Sequence, residues 1–273
     1  MMVSGRVIPV GRIAYLGAVA MVMLLVLAPL IVVIWTAFFV DKIVAFPPSG
    51  YTLDWFGRAI MSATFRDSFL LSLRVGATAT ILGLLVGVPT AMALVRRNFV
   101  GKRMIAFLTV APLLVPAIVA GSSIYLYYID IEVRTEIQVA GTFAGLVAAH
   151  TLIGLPWIVR LVVSSLSMMN RHIEEASLIL GASPFVTFYR ITLPLIRPGI
   201  VAGGLFAFVV SLADLEVSLF LVGAGSTTLS IAILNYLQWG LDPTIAAVAT
   251  LQILIIGAAL WISDRYVHLS RVF

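Results

Sequence analysis

Two carboxylates, Asp214 and Glu216, stand inside the apolar run VVSLADLEVSLFLVGAGSTTL. An ionised acid at membrane depth is costly unless it is paired or hydrated, so such residues mark solute or ion pathways by default. On a continuous helix, residues two apart stand about 200° apart around the axis. One acid is then free to face a pathway while the other pairs with a neighbouring helix, Arg74 being the candidate partner. Tyr125, toward the end of an earlier apolar run, is the third pathway candidate. A second pair of acids, Glu174 and Glu175, opens a polar island from Asn170 to Pro198, NRHIEEASLILGASPFVTFYRITLPLIRP. Other chemistries find no support. The chain has no Cys, which removes disulfides, thiolate metal sites and a Cys nucleophile. Its three His (His150, His172, His268) are far apart, without the spacing that sets two metal ligands on one helix face. No G-x-x-x-x-G-K-[ST] phosphate loop is present, since Gly101-Lys102 lacks the upstream glycine, and no G-x-S-x-G elbow supports hydrolysis.

The elements that must position these residues are membrane spans. Of 273 residues, 62% are hydrophobic and only 11% charged, where a soluble domain carries about a quarter charged residues. Mean hydropathy is +1.13. Six apolar runs are long enough to cross about 30 Å of hydrocarbon, at about 13–39, 68–95, 104–128, 141–166, 199–222 and 243–262. The first is too long for the core of a signal peptide and reads as a retained span. Residues 41–67, with Pro47, Pro48, Gly50 and Trp55, read as a loop carrying one interfacial helix. Gly83 and Gly87 have the small-xxx-small spacing that lets helices approach closely in lipid. The net charge of +5 is not a nucleic-acid signal, because the basic residues collect at the ends of apolar runs. With the N-terminus inside, the inner side holds Arg6, Arg12, Arg96, Arg97, Lys102, Arg103, Arg160, Arg171, Arg190, Arg197, Arg265 and Arg271. The outer side holds only Lys42, Arg58, Arg66 and Arg134. That bias expects both termini and the polar island in the cytoplasm. The fold class is therefore all-α: a polytopic bundle of six transmembrane helices with a cytoplasmic helical loop at 170–198, forming a single membrane domain over 1–273.

The island itself reads as two short helices. Asn170 caps the first, and Glu174 and Glu175 favour its dipole. Ile173, Ala176 and Leu180 fall on one face at helical spacing. Gly181 supplies a residue able to take positive φ at the C-terminal end. Ser183-Pro184 is a cap and first-position pair that starts the second helix, which Pro194 and Pro198 are expected to close.

Glu175-Ala176-Ser177, three residues, Gly181, nine residues, then Ile191-x-Leu193-Pro194 resembles the EAA loop of ABC-importer permease subunits. The resemblance implies a coupling helix docked in a cleft of a separate ATPase, in a transport protein that is not itself an enzyme. ATP and Mg belong to that ATPase dimer, and this chain carries no cofactor. It also implies a second, non-identical permease subunit, an extracytoplasmic solute-binding protein and a bacterial inner membrane. Glu174, Glu175, Ala176, Ser177, Gly181, Ile191, Leu193 and Pro194 are the coupling residues it assigns. Glu175 would pair with a basic residue of the ATPase, while Ile191, Leu193 and Pro194 would anchor the loop to the bundle. The region from Ser211 onward is similar to the second permease of spermidine/putrescine-type importers. Leu212-Ala213-Asp214 stands where that branch carries Phe-Asp-Glu or Phe-Asp-Asp. Relatives of the branch take up opines, aminophosphonates, amino acids or ferric ion. Two acids without a central basic residue favour a cationic or amine-bearing solute. An ion-gradient-driven secondary transporter is the alternative from another class.

Overall fold

A computed structural model describes residues 10–43, 45–223, 225–240 and 242–267; Arg6, His268 and Arg271 lie outside them. The described residues form an all-α, multi-pass bundle in which five helices are long and apolar enough to cross a membrane, or six with one bent pair. The chain divides into two compact units.

The first unit holds residues up to Ser62 together with Leu237–Ile253. Its helix α1 (Val10–Thr36) contains a 22-residue span, Tyr15–Thr36, none of whose most apolar window is buried. An all-round apolar helix with no protein cover is suited to contact lipid. It is followed by a turn in which Phe39 bridges Tyr51 and the Trp55 indole donates to the Phe39 carbonyl at 2.6 Å. The interfacial helix expected between residues 41 and 67 is α2 (Asp54–Met61), held by buried Trp55 and Ala59.

The second unit is built on α3 (Ala63–Arg96), α6 (Phe143–Met168) and α9 (Leu193–Ala213). Their packing is governed by small residues, as close backbone approach in lipid requires. Ile158 of α6 lies between glycines on both sides. A Cβ at Gly83 or Gly87 would come 2.7 Å from its side chain, and one at Gly203 would come 2.9 Å from its Cα. The Gly83–Gly87 spacing thus marks a real helix contact. The seam continues where Gly199 meets the Leu161 carbonyl and Ser165, and where Gly154 meets Ala207.

Two of the expected spans are broken. In place of one helix over 104–128 there are α4 (Lys102–Leu108), a short 3-10 turn at Ala111–Leu113 and α5 (Ala117–Thr135), bent by 107°. The cause is Pro112 and Pro116: each lacks an amide donor, and Pro116 sits in extended backbone. Nor does the fifth span run unbroken to residue 222. It stops at Ala213 and restarts as α10 (Glu216–Leu221), which packs on α5 where Gly121 meets the backbone of Glu216 and Val217. Tyr128 is buried and donates to the Gly145 carbonyl at 3.0 Å. Glu132, in the last turn of α5, accepts from the Val139 and Ala140 amides at 2.7 and 2.8 Å, fixing the turn into α6.

Candidate functional site

The polar island forms α7 (His172–Ile179) and α8 (Pro184–Thr187). The Asn170 side chain accepts from the His172 amide at 3.0 Å and so sets the first turn. Gly181 has φ +88°. It closes α7 with paired bonds, Ala182 N–H to Ser177 O at 3.1 Å and Gly181 N–H to Leu178 O at 3.0 Å, the Schellman arrangement that favours glycine here. Ser183 Oγ then accepts from the Val186 amide and starts α8 with Pro184 in its first turn. The two pieces are tied by a buried contact, Ser177 Oγ to Thr187 Oγ1 at 3.0 Å. The expected stop at Pro194 is absent. A π turn over Phe188–Thr192 runs directly into α9, with Pro194 in the first turn of that helix.

The elbow has a polar inner side and an apolar outer one. Glu174 turns inward: its Oε1 accepts from Thr192 Oγ1 at 2.7 Å and its Oε2 lies 2.9 Å from Nε of Arg96, the last residue of α3. Glu175 faces out, half-exposed, 3.2 Å from Arg171 and 3.0 Å from His172 of its own helix. The face expected from Ile173, Ala176 and Leu180 is present and uncovered, with Ile179 and Leu180 86% and 87% exposed. Phe185 and Tyr189, stacked at 6.0 Å, are exposed beside it. Anchorage of the loop falls largely on Thr192 and Ile196, both buried. Ile191 and Leu193 are half-buried, and Pro194 is exposed. The resemblance gave Glu175 the outward role, but nothing in the sequence showed that Glu174 turns inward, because that depends on its reaching Arg96.

A second polar cluster occupies the break after α9. Asp214 has ψ 129°, so the helix ends there, and its side chain caps α10: Oδ2 accepts from the Ser218 amide and hydroxyl, both at 2.8 Å. His150 of α6 bridges α9 and α10, with Nδ1 2.7 Å from Ser211 Oγ and Nε2 3.2 Å from Ser218 Oγ. Because the Ser218 proton points to Asp214, Ser218 accepts from Nε2–H and Ser211 donates to Nδ1, which leaves no member unsatisfied. Asp214 Oδ2 is 3.9 Å from His150 Nε2. The proposed Arg74 partnership does not form; Arg74 is exposed. The break also overturns the opposed-faces argument for the two acids. Buried Asp214 and exposed Glu216 line one open cavity of about 400 Å³, together with Trp157, Pro112, Val115 and Ala213. Tyr125 is partly exposed on α5 and is not part of that lining. His150 was legible only as a His in an apolar run, since its partners lie 61 and 68 residues away.

Residues 79–269 match the family described as binding-protein-dependent transport system inner membrane component. The putrescine transport system permease protein PotI of Escherichia coli is 32% identical over 232 residues, covering 85% of this chain and 81% of its own. The spermidine/putrescine transport system permease protein PotC of Haemophilus influenzae is 28% identical over 227 residues, covering 83% and 86%. Among solved structures, a bacterial alginate ABC transporter, in complex with an alginate pentasaccharide-bound periplasmic protein, superposes with a TM-score of 0.72. It is 14% identical and covers 92% of each chain, a likeness of fold. The resemblance read from the elbow spacing and the Ser211 region is thereby borne out, and the chain belongs to the binding-protein-dependent transport family as a membrane-embedded permease subunit of an ABC importer, not itself an enzyme.

Proposed function

We propose that this permease imports an amine-bearing cation of the polyamine type, and that its elbow at 170–198 receives a separate ATPase dimer at the cytoplasmic surface. The observation that carries the docking reading is the two-sidedness of the elbow. Glu174, Ser177 and Thr187 are turned inward in hydrogen bonds, while Ile179, Leu180 and Phe185 are left uncovered. Exposed apolar patches of this kind mark interaction surfaces. The bias of basic residues toward one side supports a cytoplasmic elbow and cytoplasmic termini. A short elbow joined to α6 and α9 converts the closing of an ATP-bound dimer into rotation of those helices, and the pathway then opens to one side or the other. A second, non-identical permease completes the pathway, and an extracytoplasmic protein delivers the solute. ATP and Mg are held by the ATPase.

The solute reading rests on Asp214 and Glu216 lining one cavity beside the Trp157 ring. Two carboxylates attract a dication, and an aromatic face adds a cation–π contact to an ammonium group. The names of the polyamine permeases above agree with that chemistry. Its test is uptake of radiolabelled putrescine by vesicles holding the assembled complex, ATP inside and the binding protein outside. Glu216→Gln is expected to weaken uptake while membrane insertion is unchanged. Undiminished uptake in Glu216→Gln and Asp214→Asn together would remove the acids from the pathway. Uptake driven by an imposed ion gradient, with no ATPase present, would replace the ABC mechanism with a secondary one.

A further inference from the structure

We propose that Arg96, Glu174 and Thr192 form a clasp that passes displacement of the elbow to α3, a helix to which the elbow is not directly joined in sequence. The proposal rests on the docking reading above. The elbow is continuous with α6 on one side and α9 on the other, so motion reaches those two helices through the backbone. Glu174 adds a third connection. One of its oxygens accepts from Thr192 at the foot of α9, and the other lies against the guanidinium that ends α3. A single carboxylate on α7 therefore holds the ends of two membrane helices.

The setting makes this contact firm. The Arg96 and Glu174 side chains are only 17% and 15% exposed. Arg96 Nε and Nη2 are buried without an aligned hydrogen-bond acceptor among the described residues, so the adjacent carboxylate is what offsets this charge. Pulling the pair apart would leave both charges buried and uncompensated, which is strongly unfavourable. The neighbouring pair Arg171–Glu175 is largely exposed and lies within the first turns of one region, so it resists little and connects nothing distant. Farther along α3, Gly83 and Gly87 are already locked to Ile158 of α6. With the clasp at its end, α3 is fixed at two levels and moves with the elbow as one body. Arg96 and Glu174 are positioning residues in this scheme, acting on the pathway through α3.

The chain has no native Cys, so labels at Arg97→Cys and His172→Cys, both exposed positions, report the distance between the end of α3 and the elbow without background from this subunit. In the assembled complex, a clasped elbow gives a narrow distance distribution that keeps its mean when ATP and vanadate are added. Arg96→Gln or Glu174→Gln broadens the distribution, shifts its mean on nucleotide addition and loses ATP-driven uptake while ATP hydrolysis persists. The exchange Arg96→Glu with Glu174→Arg restores all three. Thr192→Val, which removes only the hydrogen bond, broadens the distribution less. Unchanged distances and uptake in both single variants would overturn the clasp, as would a charge exchange that rescues nothing, or single variants that merely vanish from the membrane. Failure of the docking reading has a separate signature: Leu180→Cys then forms no cross-link to the ATPase in the parent protein.

Discussion

Adding a single methyl group at Gly203 tests whether the α6–α9 seam is a backbone contact or only a side-chain one. The added Cβ would lie 2.9 Å from Cα and 3.3 Å from the carbonyl oxygen of Ile158. Carbon atoms settle at about 3.5–4.0 Å, so the two helices must part by roughly 0.6–1 Å at this level. Overpacking of this kind costs about 1–3 kcal/mol, and replacing a helical glycine with alanine returns about 0.8–1.0 kcal/mol. The obstacle here is backbone and cannot turn aside, so the upper part of that range, about 2–3 kcal/mol, applies, and Gly203→Ala is expected to destabilise by about 1–2 kcal/mol after the helical gain. Gly83→Ala provides the contrast. Its Cβ would meet only the terminal Cδ1 of Ile158, at 2.7 Å, and that methyl can turn away. This variant should stay within about 1 kcal/mol of the parent, since the same helical gain offsets a small rearrangement. Ile158→Val deletes the Cδ1 methyl. It should relieve Gly83→Ala and leave Gly203→Ala unrelieved, because the obstacle there is backbone. Equilibrium unfolding in detergent, run as two double-mutant cycles, measures both couplings. A Gly203→Ala protein as stable as the parent, or one rescued by Ile158→Val, would refute the backbone-contact account.

Three further outcomes follow from the site. Gly181→Ala forces a side chain into the left-handed region at φ +88°, a local penalty of about 1–2 kcal/mol; membrane levels should hold while ATP-driven uptake in vesicles falls. Leu180→Asp places a charge on the uncovered face of the elbow, and co-purification of the ATPase with the permease should be lost, whereas the bundle's own unfolding midpoint should not move. Asp214→Ala removes the acceptor for the Ser218 amide and hydroxyl, and loss of such a cap costs about 0.5–2 kcal/mol. Asp214→Asn keeps an acceptor in place, so thermal unfolding should separate the two variants even where both impair uptake.

Composition and periodicity alone determined that this is an all-α membrane protein, because a polar backbone in hydrocarbon must satisfy itself within helices and apolar runs of that length have few other uses. They also located the elbow: Gly181 and Ser183-Pro184 act through local backbone preferences, which a short stretch of residues carries in full. The Gly83–Gly87 spacing announced a close helix contact but not its partner, Ile158. Only the tertiary structure decided what the charged residues do. Glu174 and Glu175 are chemically alike neighbours, and one is a buried link to Arg96 while the other faces outward. On an unbroken helix Asp214 and Glu216 would occupy opposed faces, but the helix ends between them and both line one cavity. The physical reason is common to these cases. Helix propensity and capping act over a few residues, but the free energy of a charge in an apolar setting depends on which partners arrive from elsewhere in the chain, such as Arg96, His150 and Ser218, and on the space left between helices.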